Sequence, residues 1–195
     1  MASHLRKVWN RILRKYFGRE RAHKWLLRRE LNALLERVPD PLVIETGSIR
    51  WRDEGTESTL TIAKTLNGRG RFYSFELRPE HIDVSREICG NYDRYVNYVE
   101  GDSVANLERL VADGTLSHID FAFLDSTNSG EHTFKEFSAI EGCFRPGSVL
   151  VCDDVLWADK GRLVVPYIQA SADWECEVLN VEKGMMVARR LPPPA

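Results

Sequence analysis

The chain of 195 residues is 43% hydrophobic, enough for one domain with a full core and too little for two ordinary ones. No window comes near the ~20 apolar residues of a membrane span, and the N-terminus lacks the apolar core and cleavage site of a secretory signal, so the expected compartment is cytoplasmic. The net charge of −2 is unevenly placed: residues 1–38 hold eleven Lys and Arg against three Glu, a balance of +8, while the rest balances at −10, the pattern of a basic arm joined to an acidic domain.

In the arm, Val8, Trp9, Ile12, Leu13, Tyr16 and Phe17 recur at helical spacing, and so do Leu27, Leu31, Leu34 and Leu35. Gly18 divides two amphipathic helices, and Pro39-Asp40-Pro41 ends the pattern. The expected division is therefore a helical arm, 1–38, and a domain, 39–195. The arm is read as packing on the domain or on a second copy of the chain, with contact to an anionic membrane surface or nucleic acid as the sharper alternatives.

Short apolar runs then alternate with helical stretches, as in β-α units around a mostly parallel sheet. Strands are expected at 42–45, 71–76, 96–101, 118–125 and 148–154. Helices are expected at 58–66, 79–89, 103–114, 131–144 and 161–171, with Ser58 or Thr59 capping the first. The end changes character: "WECEVLNV" and "GMMVARRL" flank a Glu-Lys-Gly turn and read as an antiparallel hairpin. The fold class is α/β, a Rossmann-like doubly wound sheet with a C-terminal hairpin, preceded by amphipathic helices. Cys89, Cys143, Cys152 and Cys176 form no C-x-x-C pair and read as reduced thiols.

Ligands of open parallel sheets bind at the carboxyl ends of the strands, near the reversal of strand order. Here those ends carry Glu45, Glu76, Asp102, Asp125 and the pair Asp153-Asp154. Taken singly, each is as readily a helix cap or turn carboxylate. As a set with the hairpin, they resemble the class I S-adenosylmethionine-dependent methyltransferases over roughly residues 40 to 190. The resemblance implies that the Glu45-Thr46-Gly47 loop, with Ser48, wraps the methionine part of the cofactor. It also implies that Glu76 accepts hydrogen bonds from the ribose, and that Asp102 and Ser103 of "GDS" lie by the adenine.

The first loop, "ETGSIRWRDEGTEST", supports this reading. A dinucleotide or nucleoside triphosphate needs closely spaced glycines to bring backbone N–H groups onto phosphates. Gly47 and Gly55 stand eight positions apart, and S-adenosylmethionine has no phosphate to cradle. Arg50 is read as meeting the cofactor's carboxylate or a substrate anion, and Trp51 and Trp157 as covers over the site or as loop packing.

Within the family the nearest likeness is to the metal-assisted O-methyltransferases, the catechol type and the macrocin O-methyltransferase and cephalosporin hydroxylase-like group. It implies that Asp125, Asp153 and Asp154 hold a magnesium ion, which Mg²⁺ chemistry allows because that ion takes oxygen ligands. Asp125 also borders the cofactor, and His132 is the candidate general base. Ser126 follows Asp125 where the catechol type has a residue such as His or Tyr. The acceptor implied is a small-molecule hydroxyl, and the N-terminal helices suggest a homo-oligomer. Two other classes stay open: a nicotinamide-dependent oxidoreductase, which would lack its phosphate loop and a Tyr-x-x-x-Lys pair, and a non-catalytic binding protein acting through its arm.

Overall fold

Two strands buried along their whole length set the architecture: β1 (Leu42–Thr46) and β4 (Ile119–Leu124). A strand with no exposed side lies in the middle of a sheet covered on both faces. Side chains alternate between those faces with period two. Leu42, Ile44, Ala122 and Leu124 enter one core, and Val43, Phe121 and Phe123 enter the other.

The computed structural model describes residues 23–51 and 57–193. The remaining strands are β2 (Arg71–Glu76), β3 (Asn97–Glu100), β5 (Phe144–Cys152), β6 (Trp174–Leu179) and β7 (Met185–Arg190). They form one sheet in the order β3-β2-β1-β4-β5-β7-β6. The first five strands are parallel, and β7 runs antiparallel between β5 and β6. This is the Rossmann-like sheet with its C-terminal hairpin that the sequence led us to expect. Strand order reverses between β1 and β4, which marks the place for a ligand.

Helices α4 (Ser103–Ala112), α5 (Gly130–Ile140) and α6 (Gly161–Ala170) cover one face with Leu107, Leu110, Phe137, Ile140, Val164 and Ile168. A helix over residues 23–35, α1, and α2 (Ser58–Leu66) cover the other, and α3 (Pro79–Cys89) packs beside α2. Leu27, Leu31, Leu34 and Leu35 of α1 are buried among Phe121, Phe123 and Val151, so this part of the basic segment packs on the sheet. Glu30, buried on the same stripe, bonds to Arg29 and to Arg189 of β7. The expected helix containing Val8 to Phe17, and Gly18 and Gly55, lie outside the described residues. Among the described residues no helix is long and apolar enough to cross a membrane.

Two boundaries differ from expectation. Helix α5 stops at Ile140 rather than near 144, because the chain tightens through Glu141–Cys143 and Pro146 then holds it extended. Glu57, not Ser58 or Thr59, precedes α2, and its side chain makes no capping bond. Thr59 is spent elsewhere, as described below.

Candidate active site

The carboxyl ends of the central strands are laced together by backbone hydrogen bonds. Gly47 N donates to Phe75 O at 2.8 Å, Gly101 N to Glu76 O at 2.9 Å, Asp125 N to Thr46 O at 2.9 Å and Asp153 N to Leu124 O at 3.2 Å. Gly47 has φ +85°, and a Cβ there would stand 2.4 Å from Asp125 O. Only glycine allows the first loop to turn this tightly against the end of β4.

Above these ends lie two cavities, of about 420 and 300 Å³, that meet at Gly47, Ser126 and Thr127. Together they lie in the size range of sites for small organic ligands. The larger is lined by Glu76, Leu77, Asp102, Ser103 and His132, and the smaller by Ser48, Arg50, Trp51, Asp125, Asp154 and Lys183.

In the larger cavity the carboxylates meet mainly neutral donors. Glu76 Oε2 accepts from Ser48 N at 3.1 Å and Ser48 Oγ at 3.2 Å, and its Oε1 from Arg78 N at 3.2 Å. His81 Nδ1 stands 3.1 Å from the same Oε1. Asp102 caps α4 by accepting from Ala105 N at 2.9 Å and also lines the cavity, so the capping and ligand-facing positions coincide. Ser103 Oγ donates to Glu136 Oε1 and lies 3.0 Å from His132 Nε2. His132 Nε2 also lies 3.4 Å from Glu136 Oε1, and its bond to that carboxylate draws the His132 pKa above its ordinary value, against partial burial.

Glu45 and Thr46 depart from expectation. Both side chains are fully buried beneath the cleft, and neither residue lines it. Glu45 Oε2 accepts from Thr59 Oγ1 at 2.7 Å and Ser74 Oγ at 2.9 Å. Thr59 Oγ1 in turn accepts from Ile49 N at 3.2 Å, so Glu45 acts as a post under the loop. Burial pushes its pKa up to about 7, against the hydroxyl bonds that favour the charged form. Thr46 Oγ1 donates to Glu136 Oε2 at 3.2 Å.

The smaller cavity is electrostatically different. Lys160 Nζ lies 2.6 Å from Asp125 Oδ1, His23 Nδ1 lies 3.1 Å from Asp153 Oδ2, and Lys183 Nζ lies 3.2 Å from Asp154 Oδ2. Each of the three carboxylates expected to hold magnesium therefore faces a cationic side chain of the chain itself. Among the described residues no three His, Cys, Asp or Glu converge as metal ligands. Burial would discharge His23, but the Asp153 carboxylate outweighs it and lifts the imidazole pKa to about 9. Burial also raises the Asp125 pKa, more than Lys160 lowers it, and the charge of Asp153 adds to the rise. Arg50 sends one nitrogen to the carbonyls of Asp125 at 3.2 Å and Ser126 at 2.8 Å. Trp51 is 71% exposed at the rim, and Trp157, also exposed, has Lys183 over its ring, 5.2 Å from the centroid.

The two expected catalytic groups do not share a cavity: His132 lines the larger and Asp125 the smaller. The sequence reading missed Glu136, Lys160, His23 and Lys183. Glu136 and His23 left a trace, since each occupies an apolar-stripe position of an amphipathic helix. Lys160, in the turn before α6, left none.

A family model described as a methyltransferase domain matches residues 55–155. The chain belongs to this methyltransferase family. Its fold is that of the class I enzymes, as solved structures also indicate. An O-methyltransferase from Bacillus cereus in complex with SAH has a TM-score of 0.68 at 20% identity, over 84% of this chain and 80% of that one. The O-methyltransferase TomG from Streptomyces achromogenes, involved in tomaymycin synthesis and solved with SAM, gives 0.72 at 19%, over 88% and 81%. A methyltransferase from Geobacter sulfurreducens gives 0.62 at 15%, over 85% and 78%. No curated protein matches the sequence significantly.

Proposed function

We propose that this methyltransferase takes its methyl group from S-adenosylmethionine, passes it to the hydroxyl of a small molecule, and works in the cytoplasm. The observation that carries the reading is the paired cleft, a larger cavity over Glu76 and Asp102 joined at Gly47 to a smaller one over Asp125. S-adenosylmethionine, when bound, supplies an activated methyl on a sulfonium. Solved relatives of this fold carry SAM or SAH.

In this reading the larger cavity takes the adenosine. Glu76 keeps lone pairs free beyond its bonds to Ser48 and Arg78, and these accept from the ribose hydroxyls. Asp102, Ser103 and His132 flank the base, which assigns His132 to cofactor recognition rather than to proton transfer. Glu45 acts through the loop that it supports. The acceptor occupies the smaller cavity, where Arg50, bonded among the described residues only to backbone carbonyls, favours an anionic molecule and Trp51 covers it. Asp125 Oδ2, the oxygen that Lys160 does not hold, takes the hydroxyl proton as the oxygen attacks.

Magnesium does not fit this set of residues. A dication requires unpaired oxygen ligands, whereas Asp125, Asp153 and Asp154 are each balanced by a cation, and Asp153 is buried.

Calorimetric titration of the full chain with S-adenosylhomocysteine tests the proposal. The expected outcome is one site per chain with a Kd in the range of about 1–100 μM. Absence of heat with S-adenosylhomocysteine, together with binding of NAD, would overturn it.

A further inference from the structure

Of the three carboxylates at the ends of β4 and β5, Asp125 is met directly by a buried cation of the chain, Lys160. Lys160 is 1% exposed and its ammonium touches Asp125 Oδ1 at 2.6 Å. A buried ammonium tends to lose its proton, yet Lys160 is held charged by Asp125 first and by Asp153 and Asp154 after it. The turn that delivers it is fixed by backbone packing on both sides. A Cβ on Gly161 would stand 2.3 Å from Val155 O, and one on Gly130 2.3 Å from Asp159 O. Lys160 therefore arrives on a segment with no room to move aside. His23, carried in by α1 on the other face of the sheet, neutralises Asp153, and Lys183 from the hairpin turn meets Asp154.

We infer that Lys160 stands in the position of a divalent ion, so that the acceptor site carries a covalently attached positive charge and needs no metal. Lys160 is a positioning residue. It reaches the acceptor through Asp125, fixing one carboxylate oxygen and leaving the other turned to the cavity. An ammonium offers a point charge with three donors and no vacant coordination position. The acceptor oxygen is therefore oriented by Asp125 and Arg50, and with no metal to chelate, the site should accept a single hydroxyl as readily as a pair of neighbouring ones. This inference rests on the methyl-transfer reading for its catalytic meaning, whereas its test does not.

The test is a titration of the full chain with Mn²⁺ alone, followed by the electron paramagnetic resonance signal of the free ion. The wild-type chain is expected to show no saturable site below about 1 mM. Lys160→Met uncovers Asp125 and lets a dication displace the half-exposed Lys183 from Asp154, and is expected to bind one Mn²⁺ per chain at least about tenfold more tightly than wild type. Adding Asp125→Asn to that variant should remove the site again, a pattern that a merely structural lysine would not produce. Saturable one-to-one binding by the wild type that Asp125→Asn abolishes would overturn the inference, and so would a folded Lys160→Met chain that binds no ion. Saturable binding by the wild type overturns the inference even if the variant fails to fold. Failure to bind S-adenosylhomocysteine would count against the proposed function and leave the Mn²⁺ result standing.

Discussion

The two sides of the cleft are built alike and charged differently. On both, a carboxylate stands at the end of a parallel strand and faces the same opening. Over β2 and β3, Glu76 and Asp102 are held mainly by backbone N–H groups and a serine hydroxyl, which orient the carboxylates while leaving their charge and spare lone pairs to a ligand. Over β4 and β5, Asp125, Asp153 and Asp154 are held by Lys160, His23 and Lys183, which balance the charge inside the protein. Position at a strand end thus selects which residues can meet a ligand, and the partners behind them decide what they offer it. A neutral backing makes an acceptor of hydroxyls. A cationic backing makes a closed electrostatic unit.

The strongest way to break the comparison is at the seam where the two sides meet. Gly47→Ala places a Cβ against Asp125 O at 2.4 Å with φ at +85°. The clash and the left-handed backbone together should cost about 4 kcal/mol and push the first loop away from β4. Urea denaturation and S-adenosylhomocysteine titration should both register the change. A variant with unaltered stability and affinity would show that the loop does not depend on this contact.

Next in size is the His23–Asp153 pair. The folded-state pKa of His23, about 9, lies above its ordinary 6.5. The pair's contribution is therefore complete below pH 6.5 and disappears as pH rises through 9. Burial of both partners makes the full span worth about 3 kcal/mol at most. Urea midpoints measured from pH 6 to 10 should fall over that window in the wild type, and the fall should flatten in Asp153→Asn. An identical pH profile in the two proteins would remove His23 from the balance of this side.

Glu45 tests the opposite side by the same logic. Its carboxyl is raised from 4.5 to about 7 by burial, so its stability contribution is present below pH 4.5 and lost as pH rises through 7. Glu45→Gln keeps an oxygen to accept from Thr59 and Ser74, but puts an amide where Oε1 has no partner. Because the amide does not titrate, the stability difference should move about 2 kcal/mol in the variant's favour between pH 5 and pH 8, read from the urea midpoints of the two proteins. A constant difference across that range would mean that Glu45 is not the group titrating.

The sheet, its hairpin and the list of strand-end carboxylates were legible because they depend on local patterns: apolar runs of strand length, helical spacing and glycine turns. The boundary at Ile140 was less so, since the Glu141–Cys143 turn and Pro146 act one after the other over only a few residues. The pairing of charges was not legible at all. His23 reaches Asp153 across 130 positions of sequence and Lys160 reaches Asp125 across 35, and nothing in either local pattern names its partner. The three aspartates therefore read as an open oxygen cradle when only their own strands were considered. Glu45 shows the same effect in reverse: its place in "ETG" pointed to the ligand, while Thr59 and Ser74, from α2 and β2, turned it under the loop.

The smallest effect on stability isolates the neutral backing of Glu76. Glu76→Gln retains an oxygen that can accept from Ser48 N, so the loop should hold and thermal stability should stay near that of wild type. What the variant loses is the charge and two of the lone pairs that the ribose hydroxyls are proposed to use. Hydrogen bonds to a charged acceptor contribute about 1.5–3 kcal/mol, so affinity for S-adenosylhomocysteine should fall by roughly ten- to a hundredfold. The matching change on the other side, Asp154→Asn, breaks only a half-exposed pair with Lys183 at 3.2 Å, and should leave cofactor affinity within about twofold. If the two substitutions weakened the cofactor equally, the cleft would be one electrostatic unit rather than two, and the division of labour drawn between its cavities would fail.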